Sequence, residues 1–67
     1  MINIKVNGTQ QQFSEKPTIQ KLVFKLKIDT NGIAIAINDS VIKREKWETK
    51  ELKSNDKVLI IKSTQGG

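Results

Sequence analysis

The chain has 67 residues, enough for one small domain with a modest core, and it contains no cysteine and no histidine. That excludes disulfides, thiolate metal ligands, a cysteine nucleophile and the commonest general base. Twelve basic against seven acidic residues give a formal charge of +5, but the positives from Lys5 to Lys62 are interleaved with Glu45, Glu48, Glu51 and Asp56, and the aromatics are only Phe13, Phe24 and Trp47, a pattern that favours a solvated surface over a nucleic-acid interface.

Residues 2–6, INIKV, alternate apolar and polar, with Ile2, Ile4 and Val6 on one face. This is the period of a half-buried strand. Asn7-Gly8 follows as a hairpin signal, and Thr9–Phe13 makes a return strand whose polarity suits a sheet edge. Pro17 and Thr18 announce a helix, with Thr18 as N-cap. Ile19, Leu22, Val23 and Leu26 recur at i, i+3, i+4 and i+7, which predicts a buried stripe on a helix running to Lys27 or Ile28. Phe24 falls off that stripe and is expected to pack against the loop after the helix. Asp29-Thr30-Asn31-Gly32 is read as the turn that stops the helix.

IAIAI (33–37) predicts a strand with isoleucines on one face and alanines on the other, and Val41-Ile42 a brief further strand after the turn at 38–40. Residues 43–56 are charged and irregular, with Trp47 and Leu52 as expected anchors to the core. KVLIIK (57–62) is the last strand. The order of elements predicts an α+β domain, one helix across one face of a mixed sheet. The expected organisation is a domain over 1–62 and a flexible tail over 63–67.

Val58 and Ile60 are expected to face the helix, so Leu59 and Ile61 must face the other way. With one helix available, that second face is uncovered. Leu59 and Ile61 beside Ala34 and Ala36 then form an apolar patch, and such patches mark partner surfaces. The alternative is that the charged segment 43–53 folds over it.

The chain closes on Gly66-Gly67, where no further turn follows. The reactive group of such a tail is its terminal carboxylate, a poor electrophile until another enzyme activates it. Two residues without Cβ atoms pass a narrow channel to a remote active site. No apolar run approaches the ~20 residues that span a bilayer, and MINIKVNG is not a signal peptide, so the expected location is the cytoplasm.

In this setting AIN (36–38), Val41-Ile42, Arg44, Glu45, Trp47, Leu52, Asp56 and the closing Gly-Gly fall in an order and spacing that resembles the ThiS family. These are sulfur carriers of thiazole (thiamine) biosynthesis with a ubiquitin-like β-grasp fold. Lys43 stands where the family often has proline, and Asn55 where it often has glycine. The resemblance implies that Gly67 is adenylated and then carries sulfur as a thiocarboxylate, with Gly66 as the slender neck behind it. It implies an E1-like, ThiF-like adenylyltransferase as partner, a cysteine-derived persulfide as sulfur donor, and a ThiG-like thiazole synthase as acceptor. The chain itself is then no enzyme, holds no cofactor or metal, and is monomeric when free; ATP belongs to the partner. The rival readings are the small subunit of molybdopterin synthase and a ubiquitin-like protein modifier, which share the Gly-Gly chemistry.

Overall fold

The computed structural model describes residues 1–62. Its elements are β1 (Ile2–Val6), β2 (Thr9–Phe13), α1 (Ile19–Lys25), β3 (Ile33–Ile37), β4 (Ser40–Ile42), a short 3-10 turn (Arg44–Lys46) and β5 (Lys57–Lys62). Asn7 and Gly8 both adopt positive φ, 50° and 85°, as the tight hairpin between β1 and β2 requires. Nothing lies within 4 Å of where a Cβ on Gly8 would stand, so backbone conformation and not space selects glycine there. Asn38 and Asp39 repeat the device between β3 and β4, at φ 49° and 73°.

The strands form one mixed sheet in the order β2-β1-β5-β3-β4. The last strand is therefore the middle one. It runs parallel to β1, with Val6 opposite Val58, and antiparallel to β3 along its length, from Ile37 opposite Val58 to Ile33 opposite Lys62. β2 is an edge strand, as its polarity suggested. Ile4, Val6, Phe13, Ile35, Ile37 and Val58 are buried on the inner face beneath Ile19, Leu22 and Val23 of α1, with Trp47 and Leu52 closing the core.

The start of α1 explains where the charged segment goes. Four backbone N–H groups at a helix start have no partner within the helix. Here Thr18 Oγ1 accepts from Lys21 N at 3.2 Å and the Thr18 carbonyl from Leu22 N at 3.0 Å. Ile19 N donates to the Lys50 carbonyl at 3.1 Å and Gln20 N to that of Trp47 at 3.0 Å. Leu52 N returns a bond to the Pro17 carbonyl at 2.8 Å. Segment 43–53 is thus held against the helix start, on the inner side of the sheet. It does not cover the outer face.

The helix ends earlier than its apolar stripe suggested. Lys27 takes φ 56°, Lys27 N donates to the Phe24 carbonyl and Ile28 N to that of Val23, which is the Schellman arrangement. The stop is therefore at Lys27, ahead of the turn at 29–32. Phe24 also departs from expectation. It is 82% exposed, because it stands on the helix side opposite the core and the following loop does not reach it.

Candidate functional site

Two parts of the sequence reading bear on function: the terminal glycines and the outer sheet face. Gly66 and Gly67 lie outside the described residues. The strand that leads to them is described, and it is the middle strand of the sheet, with neighbours on both sides. Beyond its two parallel pairs with β1, support on that side comes from the turn. Asn7 N donates to the Val58 carbonyl at 2.9 Å, Asn7 Oδ1 accepts from Ile60 N at 2.7 Å, and Asn7 Nδ2 donates to the Ile60 carbonyl at 3.3 Å. The side-chain amide continues the ladder where β1 has turned away. Asn7 was legible only as a turn residue, since its partner is 53 positions distant.

The entry to β5 is held as tightly. Asp56 is a buried carboxylate: Oδ1 accepts from Asn38 Nδ2 at 3.1 Å and Oδ2 from Lys53 N at 2.9 Å. Asn38 Oδ1 in turn accepts from Lys57 N at 3.0 Å. Asn55 adopts φ 75°, a left-handed conformation that asparagine tolerates better than most residues. Lys43 sits at φ −62°, within the range a proline ring imposes, so the loop keeps proline-like geometry without proline. Arg44 lies 4.5 Å over the Trp47 ring and donates to the Thr30 carbonyl at 2.7 Å, while Trp47 Nε1 donates to the Ile42 carbonyl at 3.1 Å. The motif residues Asn38, Arg44, Trp47, Leu52 and Asp56 are thus framework. Asn38 and Asp56 fix the entry to β5, and Arg44, Trp47 and Leu52 tie the segment before it to the loop ahead of β3, to β4 and to the helix start.

On the outer face, Leu59 is 48% exposed and Ile61 is 46% exposed. Leu59 pairs with Ala36 and Ile61 with Ala34 across β3, and Ala36 pairs with Val41 of β4 on its other side. Val41, 69% exposed, extends the apolar patch and was not expected in it because it was read only as part of a brief strand. Ala36 requires a correction. It is 5% exposed and contributes floor, not contact surface, because it lies between the larger Leu59 and Val41. Ala34 is half-buried. Across β1 and β2 the same face turns polar: Asn3, Lys5, Gln10 and Gln12 alternate with the core residues. A recess of about 360 Å³ lies there, lined by Asn3, Lys5, Gln10, Asn38, Lys57 and the turn Asn55-Asp56. Both oxygens of its one carboxylate, Asp56, are bonded to Asn38 and Lys53. Among the described residues, no group of three or more His, Cys, Asp or Glu is placed to hold a metal ion. No helix among them is long and apolar enough to cross a membrane.

Known proteins share this architecture. A crystal structure of the thiamine biosynthesis protein ThiS from Geobacter metallireducens superposes with a TM-score of 0.86 at 25% identity, covering 98% of this chain and 100% of that one. An NMR structure of a thiamine biosynthesis protein from the same organism gives a TM-score of 0.77 at 25% identity, over 98% and 88% of the two chains. No curated protein sequence matches the chain. The model of the ThiS family matches residues 4–67, which includes both terminal glycines. The five-stranded β-grasp fold and this match, spanning nearly the whole sequence, show that the chain belongs to the ThiS family.

Proposed function

We propose that the protein is a sulfur carrier of thiamine biosynthesis, acting as a protein substrate and not as an enzyme. The observation that carries the reading is the family match through Gly67. The geometry supports it, because the central strand leads directly to the terminus and an exposed apolar patch lies on that same strand. Gly67 is the proposed reacting residue. Its carboxylate attacks the α-phosphorus of ATP on an adenylyltransferase, releasing pyrophosphate and leaving an acyl-adenylate. The terminal sulfur of a cysteine-derived persulfide attacks the acyl carbon and AMP leaves. A thiol then reduces the resulting acyl disulfide to the thiocarboxylate, which delivers sulfur to thiazole synthase. Gly66 keeps the segment behind the reacting carbon free of a Cβ, and Leu59, Ile61, Val41 and Ala34 form the docking face for the adenylyltransferase. Residues 1–62 act as the folded handle and 63–67 as the delivered segment.

The test is intact mass after incubation with ATP, a sulfide source and the cognate adenylyltransferase. Wild type should gain the mass that replaces one oxygen by sulfur, and alkylation should confirm a thiocarboxylate. Deleting Gly67 should abolish the gain without changing the melting temperature. One residue added after Gly67 should be as damaging, and Gly66→Ala should load more slowly. Full loading of the Gly67 deletion would overturn the carrier reading.

A further inference from the structure

The chain carries the same dipeptide twice, Asn7-Gly8 and Asn31-Gly32, and all four residues are exposed. Asparagine is a thermolabile residue, and it deamidates most readily before glycine, whose nitrogen has no adjoining side chain to hinder its attack on the asparagine amide. Asn3, Asn38 and Asn55 are instead followed by Ile4, Asp39 and Asp56. By sequence alone, the two Asn-Gly pairs are equivalent.

The fold treats them differently. Asn7 is held at both ends of its side-chain amide: Oδ1 accepts from Ile60 N at 2.7 Å, and Nδ2 donates to the Ile60 carbonyl at 3.3 Å. Its backbone N–H is bonded too, to the Val58 carbonyl at 2.9 Å. Crowding plays no part, since nothing lies within 4 Å of a Cβ built on Gly8. To meet the Gly8 nitrogen, the Asn7 side chain must first leave both bonds to β5, and a reaction that needs such an opening follows the population of the opened form. Asn31 has no such hold. Its backbone N–H donates to Asp29 Oδ1 at 3.0 Å, and its side-chain amide has no hydrogen-bond partner among the described residues. The chain on either side is nevertheless tethered, because Arg44 Nη2 donates to the Thr30 carbonyl at 2.7 Å and to the Ile33 carbonyl at 3.5 Å.

We propose that Asn31 is a site of spontaneous deamidation in the folded protein, and that the clamp on Ile60 withholds the same reaction from Asn7. The Gly32 nitrogen attacks the side-chain carbonyl carbon of Asn31. A C–N bond closes a succinimide ring, and ammonia leaves with the proton that Gly32 gives up. Water then opens the ring at one carbonyl or the other, giving aspartate or isoaspartate. No oxidant, cofactor or second protein takes part. At Asn31 the product is a new carboxylate in a loop that Arg44 still ties down. At Asn7 the aspartate product would put an oxygen where Nδ2 donates, facing the Ile60 carbonyl oxygen, and the middle strand would lose that bond.

The test is a time course of the full-length protein in one mildly alkaline buffer, with and without enough urea to unfold it. Peptide mapping by mass spectrometry locates each exchange of amide for acid, and isoaspartyl methyltransferase labelling reports the isoaspartate. In the folded protein Asn31 should react about tenfold or more faster than Asn7, as loss of two hydrogen bonds before reaction implies. In urea the two should react at comparable rates. Equal rates in the folded protein would overturn the proposal, as would an Asn31 that reacts only in urea. A ratio that persists unchanged in urea would also overturn it, since neighbouring sequence and not the fold would then set the difference. As a second measurement, Asn7→Asp should lower the melting temperature and Asn31→Asp should leave it unchanged; the reverse order would overturn the assignment of the clamp.

Discussion

Val58 and Leu59 are consecutive residues of one strand, both aliphatic, and they serve opposite purposes. Val58 is buried on the inner face, against β1, β3 and the helix; Leu59 is half exposed on the outer face, with no element of the described residues over it. The same contrast runs across the sheet. Ile35 and Ile37 are core, while the β4 residue Val41 is open to solvent. Hydrophobicity alone does not separate them, since KVLIIK is apolar at four successive positions. The separation comes from there being one helix, and from the segment 43–53 being held at the start of that helix by hydrogen bonds. Inner-face side chains supply stability, and the outer-face side chains Leu59, Ile61 and Val41 stay exposed.

The sharpest contrast comes from removing inner-face packing. Leu22→Ala deletes a fully buried side chain at the centre of the helix stripe, and such changes cost ~2–5 kcal/mol. A chain of this length has a total stability of only ~3–10 kcal/mol. Thermal unfolding followed by circular dichroism should show a large fall in melting temperature. A variant that melts as wild type would place Leu22 outside the core.

A change of comparable chemical violence on the outer face should act differently. Ile61→Asp should alter stability by about 1 kcal/mol or less, since the side chain is half exposed and what it loses is mainly strand preference. Its Kd for the adenylyltransferase should rise about tenfold or more, as for a residue near the centre of an interface. Unchanged affinity with an intact spectrum would mean that this face is not the docking surface.

The smallest effect is expected at the helix end, which belongs to neither face. Lys27 holds a left-handed φ that strains a residue with a Cβ. Lys27→Gly should therefore stabilise the protein by about 1 kcal/mol, read as a rise in denaturation midpoint. A fall would show that the lysine side chain contributes more than its backbone strain removes.

The strands and the helix start were legible because their signals are local. Alternation marks β1 and β3, a short β-branched apolar run marks β5, the Asn7-Gly8 pair marks a hairpin, and Thr18 caps the helix three residues before its bonded amide. The terminal glycines and the motif from Asn38 to Asp56 pointed to the family by pattern, but not to what the motif does. Asn38 and Asp56 are 18 positions apart, and Asn7 and Ile60 are 53 apart. Only the fold brings them together to fix the entry and middle of the central strand.

The sequence by itself determined the element order and which side chains of each strand share a face, because these depend on side-chain period and residue type. Tertiary structure alone decided that β5 is central, that Ala36 is buried while Val41 is exposed, and that Phe24 stands clear of the loop behind it. Those outcomes depend on which groups compete for the same partners. The unpaired N–H groups at the start of α1 claimed the carbonyls of Trp47 and Lys50, and the outer face of the sheet was left open.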